Sequence, residues 1–564
     1  MIGAKSGGAK VVNAVCLVFL LHQKSVFASG RFEQFLNMFE SHGEVVSTIY
    51  LSGNVLEAMP LETQTRLKEV LLSNKLELLT GAMFEPLLPL IPSVDAGYQV
   101  RQHLNLLEKC FGTSARGIWL QDCAWESHLA SILIAAGCEF TFLSISQLER
   151  AAGLWITEDQ GKTLRIFGFG QQLSFSDYLT ISVSEQLEKI KTTPSVQTLI
   201  LELHDSDECF VWVESLMAGL AVGKPKIMLC SQILDTQKPQ ALIYPKPSWN
   251  RKEPWRDMLS NPEINWLHKR TNRASAKLNA QFRVPEEAYR HLYQAQKASL
   301  VEHPELHAAA YQSIIRSENI LEPHKYAWLE IELLDLDCDG SDEIVAEAHT
   351  MNLYFKPSDG GRLLEFDDRG RSINLVLKAL SDYFIGAEES LHRFQAGQTL
   401  ELGDFREHPF EGSKYRDRVT KNRLGVVRGP SGVPVSVEVK KAIRILPKES
   451  KLEIEYRLTN HGDWDIVTRF GSAWELELHD SDATLMVNGQ TVPLSSPNLE
   501  HRMTQSLGLH QASLGLEFKF LLGRENLVWS IEKPNSIMIL PLWDLDLPKG
   551  RSRRIHFEVQ LIEI

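Results

Sequence analysis

The sequence predicts an α/β domain built on a parallel sheet, then a short helical segment, then a C-terminal domain of antiparallel strands. Three observations predict this. The chain has 564 residues, too many for one hydrophobic core; short apolar runs alternate with amphipathic helical patterns up to about residue 245; and from about Trp328 the apolar period changes to two. On this reading residues 1–254 form the α/β domain, 255–325 the helical segment and 326–564 the β domain.

Taken in order, the predicted strands of the first domain are 11–21, 45–51, 76–80, 117–121, 140–143, 164–167, 199–203, 227–230 and 241–244. Between many of them lie stretches with apolar residues at i, i+3 and i+4, notably 31–41, 61–72, 100–110 and 126–136, which predict helices. Alternating strands and helices imply parallel strands covered by helices, in a sheet either open or closed into a barrel. Lys5 and Lys10 ahead of the first apolar run, with Phe27-Ala-Ser29 after it, also outline a secretory signal, against which stands a buried first strand ending in His22-Gln23. Residues 274–278 and 286–301 carry the pattern of the helical segment. Beyond it, Leu329-Glu-Ile-Glu332, Val435-Ser-Val-Glu-Val439, Leu452-Glu-Ile-Glu-Tyr456 and Ile555-His-Phe-Glu-Val559 alternate strictly. Such alternation predicts antiparallel strands with one wet face, arranged as a β-sandwich.

Composition excludes several functions. A net charge of -13, from 59 Lys and Arg against 72 Asp and Glu, repels phosphate backbones and anionic lipid surfaces, so neither nucleic acid nor a membrane is an expected partner. Seven scattered cysteines without a CxxC pair suit a reducing, cytoplasmic setting rather than a disulfide framework. Glycine-rich phosphate loops are absent: Gly168-Phe-Gly170 lacks a third glycine, and no Gly-Lys-Ser/Thr occurs.

Parallel α/β folds carry their chemistry at the carboxyl ends of the strands. Those ends present His22-Gln23, Ser52-Gly53-Asn54, Glu85, Gln121-Asp122 and His204-Asp205-Ser206-Asp207-Glu208. Histidine among several carboxylates suits acid–base chemistry on a neutral, hydroxyl-rich substrate. Trp119, Trp125 and Trp212 lie beside them and could stack on sugar rings, although tryptophan more often fills a core.

Six segments resemble glycoside hydrolase family 57. Gly117-Ile-Trp-Leu-Gln-Asp-Cys-Ala-Trp-Glu126 is similar to the family's G-x-W-L-x-E-x-x-W, and Thr80-Gly-Ala-Met-Phe-Glu-Pro86 to T-G-G-F-Y-E-P. Ser52-Gly-Asn-Val-Leu-Glu57 resembles S-G-x-L-L-E, Leu20-Leu-His-Gln-Lys24 is a reduced H-N-H-Q-P, and His204-Asp-Ser-Asp-Glu-Cys-Phe-Val-Trp212 resembles H-D-D-G-E-K-F-G-V-W. Asp335-Leu-Asp-Cys-Asp-Gly-Ser-Asp-Glu343 with Lys356-Pro-Ser-Asp-Gly-Gly361 resembles the C-terminal domain of the 4-α-glucanotransferase branch. The resemblance implies an incomplete (β/α)7 barrel, a helical segment completing the active face, and a C-terminal β-sandwich. It also implies retaining hydrolysis or transfer of α-1,4-glucan, through two carboxyl groups roughly 5 to 5.5 Å apart and without a required cofactor. Carried across residue by residue, it makes Asp122 the nucleophile, Asp205 or Asp207 the acid, and His22, Glu85, Trp119, Asp207 and Trp212 contacts for an α-glucan or maltooligosaccharide.

The departures from the family pattern fall on the reacting groups. Asp122 stands where the family has Glu, which withdraws the carboxylate by roughly one bond length of about 1.5 Å. Ser206 falls on the acid position, Leu20 replaces the first histidine, and Lys297-Ala-Ser-Leu-Val-Glu-His-Pro-Glu-Leu-His307 replaces N-D-x-Y-W-H-G. A catalytically inactive glucan-binding relative is therefore the alternative. A metal-dependent deacetylase would need clustered His and Asp, for which His303 and His307 at i and i+4 are the one close pair. Separately, Asp335, Asp337, Asp339 and Asp342 around Gly340 form an alternating acidic loop of the kind that wraps Ca²⁺, although Ala346 stands where a twelfth-place Glu would. A tight Asp-Gly turn explains the same residues.

Overall fold

The computed structural model describes residues 14–192, 196–223, 225–249, 255–322, 328–358, 361–386, 400–401, 418–428, 434–478, 483–492, 494, 501–533 and 536–564. It divides into two compact units. One comprises Met1–Ser275 with Leu292–His307, the other Ala276–His291 with Ala308–Ile564. The helices between residues 255 and 321 are thus shared between the units, where the sequence suggested a segment of its own.

The first unit holds β1 (Val15–Leu21), β2 (Ser47–Leu51), β3 (Leu76–Thr80), β4 (Gly117–Ile118), β5 (Phe140–Ser144), β6 (Gly153–Asp159), β7 (Lys162–Phe169), β8 (Gln172–Leu173) and β9 (Gln197–Glu202). They pair in the order β6-β7-β5-β4-β3-β2-β1-β9-β8, and every pairing is parallel except β6 with β7. β1 is buried along its whole length. Cys16, Val18 and Leu20 enter one apolar cluster, while Val15, Leu17, Phe19 and Leu21 enter another with Phe32, Phe35 and Phe39 of helix Arg31–Ser41. A strand covered on both faces needs the unbroken apolar run seen in the sequence. Residues 11–13 of the predicted first strand lie outside the described residues.

Two predicted strands do not form. Residues 227–230 and 241–244 contribute only single bridges, Val15 with Ile227 and Ile156 with Leu242. Pro239 and Pro245 flank the second of these runs, and proline brings no N–H to a ladder. The β6–β7 hairpin was legible only as the run 164–167. Its turn places Gln160 and Gly161 at φ 52° and 78°, the paired left-handed geometry of a two-residue hairpin loop.

In the second unit, antiparallel strands from Leu329–Leu334 to Ser552–Glu563 surround one apolar core. Strand Lys451–Asn460 shows the predicted alternation, with Leu452, Ile454, Tyr456 and Leu458 buried on one face. Strands Leu329–Leu334 and Glu343–Ala348 pair directly, so the acidic run 335–342 is the loop between them.

Gly53 opens helix Gly53–Ala58 behind Ser52, whose hydroxyl accepts from Val55 N–H at 3.4 Å. A Cβ on Gly53 would lie 2.1 Å from the Met83 carbonyl oxygen, a backbone atom that cannot swing away as a side chain can. Gly53→Ala should therefore lower stability by about 1–3 kcal/mol, read as a lower denaturant midpoint at unchanged slope.

Candidate active site

The carboxyl ends of β1, β2, β3, β4 and β9 bring together residues far apart in sequence. His22, just past β1, places Nδ1 2.5 Å from Oε1 of Glu85. The Tyr50 hydroxyl, at the end of β2, donates to the same oxygen at 3.3 Å. The Tyr50 ring lies 5.5 Å from that of His22 and stacks on His103 at 5.9 Å. His103 is locked as the neutral imidazole: Gly81 N–H donates to its Nδ1 at 3.2 Å, so the proton is on Nε2, which donates to the Leu51 carbonyl at 2.9 Å. Burial pushes its pKa down to about 4. Gly81 also makes room for Tyr50, because a Cβ there would meet the ring at 2.5 Å.

Glu85 is buried and held by its backbone as much as by its side chain. Its φ of 53° is left-handed, a conformation that costs a non-glycine residue on the order of 1 kcal/mol or more and persists only where its surroundings enforce it. Here they do. Ala298 N–H donates to the Glu85 carbonyl at 3.2 Å, and Gln99 receives Phe84 N–H on Oε1 at 3.1 Å. Gln99 in turn donates to Gln296 at 2.8 Å, Gln296 donates to Asp95 at 2.6 Å, and Ser275 donates to Asp95 at 2.7 Å, all of them buried.

The charges in this cluster support one another. Burial opposes protonation of His22, but the hydrogen bond to Glu85 and the negative charges of Glu85, Glu202 and Asp122 outweigh it and raise its pKa. Burial likewise opposes ionised Glu85, and the His22 contact, with the charge of Lys297 and the Tyr50 hydrogen bond, outweighs it and holds Glu85 below the ordinary carboxylate value. The two shifts describe one ion pair, with Asp122 and Glu202 in its field. Asp122 sits in a short turn after β4 at φ 49°, followed by Cys123 at φ 50°. Cys123 N–H donates to Leu120 O at 2.9 Å, Gln147 donates to Cys123 O at 2.8 Å, and Trp125 pairs with Ser248 in both directions.

Several residues marked out by the sequence serve elsewhere. Asp205 accepts from Arg31 at 2.5 Å and from Ser29 at 2.8 Å. Burial alone would raise its pKa, but Ser29, Ser25 and Arg31 together lower it, the wrong direction for a group that must carry a proton. Asp207 is 86% exposed and pairs with the same Arg31 at 2.9 Å. Ser206 accepts Cys209 N–H at 3.3 Å at the start of helix Asp207–Gly223. Trp119 is buried against Phe142 and Phe169, and Trp212 is buried beside Tyr178 with its indole N–H on Ile181 O, so both are core residues and neither presents a face to a sugar. His303 and His307 do not share a helical face: Pro304 ends helix Ala298–Glu302, and His307 begins the next.

The family model for glycosyl hydrolase family 57 matches residues 27–154, and that for the alpha-amylase/4-alpha-glucanotransferase C-terminal domain matches 335–377 and 376–532. The chain is a family 57 relative. Alpha-amylase 1 of Dictyoglomus thermophilum is 24% identical over 83% of this chain and 85% of its own length. The 4-alpha-glucanotransferase of Thermococcus litoralis is 22% identical over 72% of this chain and 79% of its own. The crystal structure of the latter superposes with a TM-score of 0.79 at 17% identity, covering 98% of this chain and all of the other, which shows a shared fold.

Two members of the cluster in this family 57 relative escaped the sequence reading. Glu202 ends β9 opposite Leu20 of β1, in step with Ile200, which enters the same apolar cluster as Leu20. A lone carboxylate closing an otherwise apolar run was the available signal. Tyr50 gave none, because a tyrosine at the end of a buried strand reads as core. The His22 imidazole should titrate above its ordinary value of about 6.5, and Glu85→Gln should lower that midpoint. Histidine NMR titration of both proteins checks this, and an unchanged midpoint would exclude the ion pair.

Proposed function

We propose that this chain acts on α-1,4-glucan at the His22–Glu85 cluster, with Asp122 as nucleophile and Glu202, rather than Asp205, as the second carboxyl group. The observation that carries the reading is the field around His22: Glu85, Glu202 and Asp122 are the three charges that favour its protonated form. Retaining chemistry needs one carboxylate to attack the anomeric carbon and one carboxyl to pass a proton to the leaving oxygen. Asp205 answers poorly to the second task while Arg31 and Ser29 hold it ionised. His22 and Glu85 fit the binding of sugar hydroxyls, one as donor and one as acceptor.

The surrounding fold is compatible with this role. The pairing order runs from β7 to β8, yet only Gly170 and Gln171 separate those two strands in sequence. We read the first unit's sheet as curling on itself, an incomplete (β/α)7 barrel with the cluster at its carboxyl end, and the second unit as a β-sandwich. All seven cysteines are free thiols, and among the described residues no helix is long and apolar enough to cross a membrane. A cytoplasmic setting suits the thiols.

A second reading, binding without turnover, is favoured by the shortened Asp122 and by Ser206 at the acid position. Activity assays on maltooligosaccharides and on activated aryl glucosides separate the two. Asp122→Asn keeps a residue tolerant of left-handed backbone, so the fold should survive while turnover falls by about 10²-fold or more. Glu202→Gln should suppress cleavage of maltooligosaccharides far more than of aryl glucosides, whose leaving groups need little protonation. If wild type binds maltooligosaccharide by calorimetry but cleaves neither substrate, the binding-only reading is correct.

A further inference from the structure

We infer that the loop between strands Leu329–Leu334 and Glu343–Ala348 binds a calcium ion through Asp335, Asp337, Asp339 and Glu343. The carboxylates of Asp335, Asp337 and Glu343 each offer an oxygen, all within 4.8 Å of one another. The acidic cluster alone would say little, since exposed acids often crowd without a ligand. Glu343 is different. Its side chain is fully buried, Oε2 accepts Leu336 N–H at 2.9 Å and Asp337 N–H at 3.3 Å, and Oε1 is left without a hydrogen-bond partner. A buried carboxylate oxygen without a donor is costly, and a cation is the partner that removes the cost.

The loop is shaped around the same point. Asp335 accepts from Asp339 N–H at 3.0 Å and Gly340 N–H at 3.2 Å, and Asp339 accepts from Ser341 N–H at 2.8 Å. Gly340 at φ 91° and Cys338 at φ 62° provide the sharp reversal. Carboxylates at the first, third and fifth places are completed by the ninth, Glu343, rather than by Asp342 or by a twelfth-place residue. Asp342 falls outside the cluster. The inferred set thus differs from the sequence expectation in placing Glu343 where Asp342 stood.

Lys356 is the competing cation. Its ammonium contacts Asp337, lies 2.6 Å from Asp339 and 3.8 Å from Glu343. One ammonium facing three carboxyl groups leaves the loop under-neutralised, and a long, unbranched side chain can withdraw when a divalent ion enters. An all-oxygen, carboxylate-rich set selects a hard cation, and a loop of this kind accommodates calcium's larger, less regular shell better than magnesium's strict octahedron.

The test is calorimetric titration of the chelator-treated full-length protein with calcium, alongside thermal unfolding with and without the ion. One calcium should bind per chain and raise Tm. Glu343→Gln and Asp337→Asn, checked for fold by circular dichroism, should lose the response, and Lys356→Met should bind calcium about tenfold more tightly because a like charge is removed. Absence of heat and of a Tm shift in both wild type and Lys356→Met would overturn the inference and leave Lys356 as the loop's resident counter-charge. An equal response to magnesium would overturn the assignment to calcium.

Discussion

The contact on which the first unit's polar chemistry depends is the ion pair between His22 and Glu85. Charges taken out of water are unfavourable unless matched closely, and a single 2.5 Å contact would not suffice without a frame that holds both partners. The frame is extensive. β1 fixes His22 at the end of a strand buried on both faces, and the left-handed backbone of Glu85 is enforced by Ala298, Gln99 and the buried chain from Gln296 to Asp95. Removing any link loosens the carboxylate and leaves polar atoms buried without partners. The pH dependence follows from the shifts. His22, raised in the fold, contributes stability that is complete below its unfolded value and is lost as pH rises through its folded value. Glu85, lowered in the fold, contributes stability that is present above its unfolded value and is lost as pH falls through its folded value. The pair therefore serves the fold best in the interval between the two.

A second constraint lies at Asp122 and Cys123, two consecutive non-glycine residues in left-handed conformation. Each costs on the order of 1–3 kcal/mol, recovered from the hydrogen bonds that close the turn and from the burial of Cys123 and Trp125. The benefit is directional: the turn brings Asp122 into the field of His22 instead of letting the chain continue along β4. A side chain one methylene shorter than glutamate is partly compensated if the backbone advances, and this turn is the place where it can.

Legibility in the sequence followed the physical origin of each feature. Strands buried on both faces, such as β1, and strands with one wet face, such as Lys451–Asn460, were readable because burial writes directly into hydrophobic period. The strand ends likewise gave His22, Glu85 and Asp122, since polar residues just after apolar runs are visible one at a time. What could not be read was pairing in space. Arg31 lies on a helix some 170 residues from Asp205, and nothing local reveals that it holds that carboxylate. Trp119 and Trp212 lie next to site residues in sequence, but both are packed into apolar clusters. In the acidic loop the alternating Asp pattern was visible, but only the fold shows that the neighbouring Glu343 is buried while Asp342 is exposed.

The segment from His204 to Asp207 shows how a single cation can reassign a catalytic region. Arg31 at the start of its helix binds Asp205 and Asp207 together, and Ser206 between them turns to its own backbone and starts the next helix. An ionised carboxylate so placed is an anchor for the β9 end and for helix Arg31–Ser41, and its lowered pKa works against proton donation. The proposed function therefore assigns the leaving-group proton to a carboxyl outside this Arg31 cluster. Glu202, three residues earlier and on the strand itself, pairs with Leu20 of β1 and adds its charge to the field of His22, while Asp205 has already entered the loop.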